Sequence, residues 1–377
     1  MKVLHVVNIY FVLPFYLGDQ IQYLNEKGHE IHIICSPSEL IKDFAKKQNC
    51  NYAEVPVLKS IDIRQDLISL FRIIKYIKKH KIEMVVGHTP KGALLAMLAA
   101  CFLRVHRRVY FRHALIYETM QGLKRKLFIS IEKFTSACST KIVAVSPSIF
   151  DRSIEDKLNK KSKMVVIGKG TCGGIDTRMK FNPQNIDQKK KEELRSRLGL
   201  TDKDLVIGYT GRLVKDKGIV ELIDAFQLLN NKNNRKLLLV GDFEERDSLS
   251  ELDKLHIKNN PNIILTGFIF QDIEYYYSLM DIFILPSYRE GFGMSVLEAS
   301  AMEIPVFVTN VTGLKDAIVE NKTGLFINRN PEEMKDAIEK ALNNIKTKEL
   351  GINGRKWVSQ HFDHQILWPL IEKELYL

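Results

Sequence analysis

Two glutamates and two cations in this sequence have the types and spacing to hold a phosphorylated ligand. The run Pro286-Ser287-Tyr288-Arg289-Glu290-Gly291-Phe292-Gly293-Met294 continues to Glu298-Ala299, with seven residues between Glu290 and Glu298. It follows the apolar run 282–285, which reads as a strand, and leads into a helical stretch. A Gly-Phe-Gly turn there leaves backbone N–H groups at a helix start, a natural seat for phosphate. Glu290, in the loop, is placed to accept hydrogen bonds from a ligand. Glu298, about a turn and a half into the helix, could accept them from vicinal hydroxyls such as those of a ribose. Alone, the pair is equally a loop glutamate and a surface helix glutamate. A second run, Thr210-Gly211-Arg212-Leu213-Val214-Lys215-Asp216-Lys217-Gly218, follows the apolar stretch 205–209. Arg212 and Lys217 flank a turn and could neutralise a diphosphate, Arg as a planar fork and Lys as a point charge. A solvated loop is the plain alternative. Two such motifs at strand ends of one sheet favour the ligand.

Other motifs carry less. In His88-Thr89-Pro90-Lys91-Gly92, a lone histidine after a strand is more often a satisfied structural residue, but His88 and Lys91 could as well contact a phosphate. His5, near the end of an apolar strand, reads as core. Gly168-Lys169-Gly170-Thr171-Cys172-Gly173 matches G-x-G-x-x-G, but no helix opens after it, so the dinucleotide fingerprint lacks its context. Asp202-Lys203-Asp204 is formally D-x-D, yet it precedes a strand and reads as a turn. The five cysteines (Cys35, Cys50, Cys101, Cys138 and Cys172) show neither a C-x-x-C pair nor zinc-ligand spacing. No metal site is expected, and none is needed if Arg212 and Lys217 carry the diphosphate charge.

The elements that must position these residues alternate strand and helix. In the first half, strands are expected at 2–7, 30–35, 84–87, 108–112, 141–145 and 164–167, with a helix at 18–28. A glycine-rich linker runs from Gly168 to about Pro183. The alternation restarts with strands at 205–209, 236–240, 262–265, 282–285 and 305–309, and helices at 217–230, 271–279, 293–302, 313–319 and 331–343. Such alternation means parallel sheets covered on both faces. Two α/β domains with a cleft between them are expected, and in open parallel sheets ligands bind beyond the carboxyl ends of the strands.

Length and charge agree with this. The chain has 377 residues, enough for two domains, and its 45% hydrophobic and 27% charged content excludes a disordered chain. The longest apolar run, Gly92–Leu103, would reach about 18 Å as a helix, short of a bilayer core of about 30 Å. Residues 1–17 resemble a signal peptide superficially, but His5, Asn8 and Pro14 break the apolar stretch, so a first buried strand is expected. Of the net charge of +11, residues 1–173 hold 28 Lys+Arg against 14 Asp+Glu, and the remainder 28 against 31. The basic half would attract an anionic partner. It is concentrated at 64–81, where Leu67, Ile68, Leu70, Phe71, Ile74 and Ile77 fall near helical spacing among Arg72, Lys75, Lys78, Lys79 and Lys81. A second concentration combines Arg104, Arg107, Arg108 and Arg112 with Lys124, Arg125 and Lys126. Both stretches read either as surface helices with solvated basic faces or as helices resting on anionic lipid. A nucleic-acid binder would account for the basic half only, and no helix-turn-helix or aromatic stacking motif supports one.

Together, Gly211-Arg212-Leu213…Lys217-Gly218, the strand end Leu238-Leu239-Val240-Gly241 and the block from Pro286 to Ala299 resemble glycosyltransferase family 4. The resemblance covers nearly the whole chain and is strongest over 205–328. His88-Thr89-Pro90-Lys91-Gly92 and Ile167-Gly168-Lys169-Gly170-Thr171…Gly174-Ile175-Asp176 are similar to the branch that builds bacterial surface polysaccharides on polyprenyl-diphosphate carriers. The resemblance implies a GT-B fold, two facing Rossmann-like domains: an acceptor-binding domain at 1–173 and a donor-binding domain at 174–356. A C-terminal helix at about 357–377 would pack back on the first.

It further implies a retaining transferase that uses a nucleotide-sugar, expected to be a UDP-sugar, and a glycan or polyprenyl-diphosphate-linked acceptor. No cofactor is implied. Arg212 and Lys217 would bind the donor diphosphate and stabilise the leaving group, Glu290 would hold sugar hydroxyls and Glu298 the ribose. Gly211, Gly291, Phe292, Gly293 and Met294 would line the donor. His113 matches the histidine that faces the donor sugar, and Gly18 the glycine of the first loop. The chain departs from the family pattern at Leu17-Gly18-Asp19-Gln20, where many members have Gly-Gly, and at Ala114, where glycine is frequent. A cytoplasmic enzyme held peripherally on the anionic membrane face would use the basic half. A GT-B sugar-nucleotide epimerase is the alternative, since it shares donor binding and needs no acceptor.

Overall fold

Runs of Val, Ile and Leu too short for helices, each followed by a helix, build two parallel sheets in the computed structural model of the chain. It describes residues 1–58, 62–171, 173–229, 234–245 and 247–377. Cys172 and Asn230, the last residue of the expected helix 217–230, lie outside the described residues. The chain forms two compact units, Met1–Gly174 with Gln365–Leu377, and Ile175–His364.

The N-terminal unit holds strands β1 (Lys2–Val6), β2 (Glu30–Cys35), β3 (Asn51–Glu54), β4 (Met84–Gly87), β5 (Arg107–Arg112), β6 (Lys141–Ala144) and β7 (Met164–Val165). They pair in parallel in the order β3-β2-β1-β4-β5-β6-β7, so the winding reverses between β1 and β4. Val3, Leu4, Ile33, Val85, Val86 and Ile142 are fully buried, as a sheet covered on both faces requires. The C-terminal unit holds β8 (Leu205–Thr210), β9 (Arg235–Val240), β10 (Ile263–Leu265), β11 (Ile282–Leu285), β12 (Val306–Thr309) and β13 (Leu325–Ile327). These are parallel too, in the order β10-β9-β8-β11-β12-β13, with the reversal between β8 and β11. Both reversals bring the loops after the two flanking strands together at the carboxyl edge.

Several expected elements differ. β3 and β13 are strands that were not expected, each paired on one side only: Asn51-Tyr52-Ala53-Glu54 is polar because an edge strand is largely exposed, and Leu325-Phe326-Ile327 is apolar but only three residues long. The expected helix 313–319 is a single three-residue turn, Leu314–Asp316. Gly313 sits at φ +89°, and a Cβ there would come within 2.5 Å of the Glu290 carbonyl oxygen, so the chain tucks under the Glu290 loop instead of starting a helix. The expected helix 271–279 is confined to Ile273–Tyr277. The stretch 357–377 is two helices, Thr347–His361 continuing from upstream and His364–Leu375, which belongs to the N-terminal unit from Gln365. Trp368 Nε1 donates to the Gly173 carbonyl at 2.7 Å, and Tyr23 donates to Glu372 at 2.6 Å, fixing that last helix in place.

Candidate active site

In the C-terminal unit the loop after β8 is tied to the loop after β9. Leu213 N–H donates to the Asp242 carbonyl at 2.9 Å, and Lys215 N–H to that of Asp247 at 3.0 Å. Gly211 N–H donates to Val240 at 3.0 Å, which continues the β8–β9 ladder one residue past the strand. The loop ends on Gly218, at φ +70°, where a Cβ would lie 2.2 Å from the Pro286 carbonyl oxygen. Only glycine permits that approach, and it brings Lys217 to the loop after β11.

Lys217 Nζ meets Glu290 Oε1 in an ion pair, and the Ser287 hydroxyl donates to the same oxygen at 3.0 Å. Both charged side chains are largely buried. Among the described residues Glu290 Oε2 has no partner, so one oxygen anchors the lysine and the other remains for a ligand. Arg212 pairs with Glu244, further from the core, with side chains 40% and 30% exposed. Burial would lower the Arg212 pKa, but the Glu244 carboxylate outweighs it and holds the guanidinium protonated. Asp216, between the two cations, accepts from Arg289 at 2.7 Å.

Glu298 lies on the helix Met294–Ala301, whose N-cap is Gly293 and which no side chain caps. The N–H groups of Gly291, Phe292 and Gly293 meet no acceptor among the described residues. The Phe292 ring is core, packed against Phe362, so its backbone is what it offers a ligand. Met294 is partly exposed at the first helical position. Tyr277 donates to Glu298 Oε2 at 2.8 Å. Burial pushes the Glu298 carboxyl up to about 6 despite that hydrogen bond and the nearby Lys180. Thus Arg212, Lys217, Glu290, Glu298 and three free amides all lie at the carboxyl edge around β8 and β11.

The N-terminal unit collects histidines at the equivalent edge. His113 follows β5 directly, and its ring stacks on Tyr16 at 3.7 Å between centroids and 4° between planes. Gly18 closes the first loop, its N–H donating to the Leu13 carbonyl at 3.1 Å. The expectation for His88 is corrected: it is 1% exposed, and its ring nitrogens are taken by His5 at 3.0 Å and His113 at 2.9 Å, so it offers nothing to an acceptor phosphate. Lys91 is mostly buried and paired with Asp66 at 2.8 Å on the neighbouring helix. Glu244, Tyr277, Ser287, Tyr16 and Tyr376 were not singled out from the sequence. Ser287 reaches Glu290 within one local run, three residues away; the other four act through contacts distant along the chain, for which no local motif exists. No group of three or more His, Cys, Asp or Glu among the described residues is arranged to hold a metal ion.

Comparison with known proteins places the chain in a family. Residues 190–357 match the family described as glycosyl transferases group 1, and residues 15–171 match glycosyltransferase family 4. The chain is 36% identical over 374 residues to the capsular polysaccharide biosynthesis glycosyltransferase CapM of Staphylococcus aureus, covering 98% of this chain and 96% of that one. It is 25% identical over 312 residues to the UDP-Gal:alpha-D-GlcNAc-diphosphoundecaprenol alpha-1,3-galactosyltransferase of Escherichia coli, covering 82% and 78%. The structure of Anabaena HepE in complex with UDP-glucose superposes with a TM-score of 0.82 at 19% identity, covering all of both chains, a likeness of fold.

Proposed function

The chain belongs to the family 4 glycosyltransferases, and from that premise we propose that its C-terminal unit binds a UDP-sugar whose sugar passes, with retained anomeric configuration, to a glycan acceptor carried on polyprenyl diphosphate. The observation that carries this reading is the convergence of Lys217, Arg212, Glu290, Glu298 and an uncapped helix start on one strand edge. The E. coli relative's UDP-galactose donor and diphosphoundecaprenol-linked acceptor, and the UDP-glucose bound to HepE, support the same pairing of ligands. The epimerase alternative is set aside, because a relative 36% identical along nearly the whole chain is a glycosyltransferase.

In the proposed reaction the bond from the anomeric carbon to the diphosphate oxygen breaks. A bond to the acceptor hydroxyl oxygen forms on the same face, and the hydroxyl proton passes to the departing diphosphate oxygen. Lys217 and Arg212 exchange part of their carboxylate pairing for the diphosphate and stabilise its developing charge. The amides of Gly291, Phe292 and Gly293 add donors at the helix start. Glu290 Oε2 accepts from sugar hydroxyls, and Glu298 accepts from the ribose. His113 is a further residue assigned to the sugar. With two cations on the diphosphate, we propose that no metal is needed.

Attachment to an anionic, cytoplasmic membrane face belongs to the same proposal. No helix among the described residues is long and apolar enough to cross a membrane. The helix Ile63–His80 buries Ser69, Ile73 and Ile77 and exposes Ile63, Leu67 and Phe71, one stripe at four-residue spacing beside Arg64, Arg72 and Lys75. On the helix Gly122–Cys138, Leu123, Leu127 and Phe134 are exposed near Lys124, Arg125 and Lys126. Apolar stripes flanked by cations suit an interface, at about 1 kcal/mol per well-placed cation. Co-sedimentation that ignored both vesicle charge and salt would remove this part.

The donor site is tested by thermal shift of the purified protein with UDP, GDP, ADP and dTDP in EDTA. Saturation at 100 times Kd should add about 2.7 kcal/mol. Selective stabilisation by UDP is expected. Silence towards all four would overturn the donor assignment.

A further inference from the structure

His5 lies in β1, His88 and His113 directly follow the neighbouring strands β4 and β5, and strand register sets the three in a slanted line. His5 in β1 is level with Val86 in β4, so His88 lies two residues further along. Val86 is level with Val109 in β5, so the position level with His88 is Phe111, and His113 again lies two further. A step of two keeps every ring on one face of the sheet. The rings join directly: His5 Nδ1 to His88 Nε2 at 3.0 Å, and His88 Nδ1 to His113 Nε2 at 2.9 Å. The far end is closed by the Tyr376 hydroxyl, 3.2 Å from His5 Nε2. Tyr376 follows the last helix and is held there by Arg107, which donates to its carbonyl at 2.9 Å.

Each neutral imidazole has one N–H and one bare nitrogen, so a line of three can run in only two directions. Burial lowers the His5 and His113 pKa values to about 3 and takes His88 well below its ordinary value, so all three rings are neutral at pH 7. The buried Tyr376 hydroxyl meets His5 Nε2 and no other acceptor among the described residues. If the line ran towards Tyr376, the hydroxyl hydrogen would be buried with nothing to accept it, which folded proteins avoid. Running from Tyr376, every donor is used: Tyr376 O–H to His5 Nε2, His5 Nδ1–H to His88 Nε2, and His88 Nδ1–H to His113 Nε2. The remaining hydrogen of His113 then sits on Nδ1, which no described residue engages.

We propose that Tyr376, acting through His5 and His88, locks His113 in its Nδ1–H form, so that the ring presents a neutral hydrogen-bond donor to an oxygen of the transferred sugar. Tyr376, His5 and His88 are positioning residues, and stacking on Tyr16 fixes the plane of the ring they set. The sugar as partner rests on the function proposed above; the tautomer does not.

The experiment is long-range proton–nitrogen NMR on the full-length, ligand-free protein labelled with 15N-histidine, with resonances assigned from single His→Gln variants. The expected wild-type result is a protonated Nδ1 and a bare Nε2 at His5, His88 and His113. A protonated Nε2 at His113 would overturn the proposal, and this reading needs no variant to fold. In Tyr376→Phe the bias disappears, and the His113 signals should move towards the other tautomer or average between the two. An unchanged His113 in that variant would also overturn the role of Tyr376. If UDP-sugar transfer is confirmed, Y376F should lower kcat about threefold to tenfold while the Kd for UDP stays unchanged. If the protein proves to transfer no sugar while the tautomers are as stated, the functional reading fails and the locked line stands.

Discussion

The carboxyl edges of the two sheets carry opposite kinds of chemistry. Around β8 and β11 the working groups are ions, each cation held by its own carboxylate: Lys217 by Glu290 and Arg212 by Glu244. Around β1, β4 and β5 they are neutral rings in a line, kept uncharged by burial. The same α/β arrangement therefore supplies a site that answers charge and a site that answers geometry. A leaving diphosphate needs the first. A sugar, which carries no charge, is better oriented by the second.

The charged site should give the largest effect. If Lys217 acts as proposed, Lys217→Ala removes a cation from the developing diphosphate charge, and kcat should fall on the order of 10²–10³. Lys203→Ala, in the turn before β8, should leave kcat within twofold. Equal losses in a steady-state transfer assay would break the distinction between site and surface cations.

Glu298→Gln should separate binding from stability. The Glu298 pKa is raised from 4.5 to about 6 on folding, so between those values the folded chain holds more protons than the unfolded chain. Stability linked to this group is present below about pH 4.5 and lost as pH rises through about 6. By pH 7.5 the cost is on the order of 2 kcal/mol. The amide removes that cost, so the variant's Tm should rise by a few degrees at pH 7.5 and not at pH 4.5. Losing a charged acceptor for the ribose should weaken UDP about tenfold. A variant that is both less stable and fully competent for UDP would show Glu298 to be structural.

Glu244→Gln is expected to do less than either. The Arg212–Glu244 pair is far more open than Lys217–Glu290, and exposed pairs contribute about 0–1 kcal/mol. UDP affinity measured by calorimetry should change by less than fivefold, whereas Glu290→Gln, which strips a largely buried lysine of its carboxylate, should cost several times more. The reverse order would mean that Arg212, and not Lys217, is the cation set in place by its partner.

What could be read from the sequence was what lies close along it. Gly211–Gly218 and Pro286–Ala299 are contiguous, so residue type and strand position were enough to place Arg212, Lys217, Glu290 and Glu298 at one sheet edge. Contacts across the fold were not legible. Tyr277 reaches Glu298 and Glu244 reaches Arg212 through tertiary packing. His5 read as core and His88 as either a structural residue or a phosphate contact, because their union depends on a register that no local pattern encodes. On the helix Ile63–His80, spacing grouped Leu67, Ile68 and Phe71 with Ile77, yet the buried side is Ser69, Ile73 and Ile77. A second apolar stripe, left outside, blurred which one packs.

The smallest expected effect, none at all, is the sharpest test of the contrast. Burial lowers the His113 pKa from 6.5 to about 3, so its ring gains no proton between pH 6 and 8. Glu298, at about 6, does titrate near that range. The acid limb of kcat/KM should therefore follow Glu298: E298Q flattens it, and His113→Gln lowers the whole profile without moving it. Folding responds to acid in opposite senses at the two edges. A histidine whose folded pKa is depressed makes the unfolded chain the better proton binder below 6.5. Stability from His5 and His113 is therefore present above that value and lost as pH falls towards about 3, on the order of 1 kcal/mol per ring by pH 5.5. Acid should loosen the N-terminal sheet edge while relieving Glu298. Hydrogen exchange at pH 5.5 and 7.5 would resolve the two units. Lower protection factors in β1, β4 and β5 at the lower pH, each rate corrected for the slower intrinsic exchange in acid, without the same change in β8 and β11, are what one neutral and one charged sheet edge require.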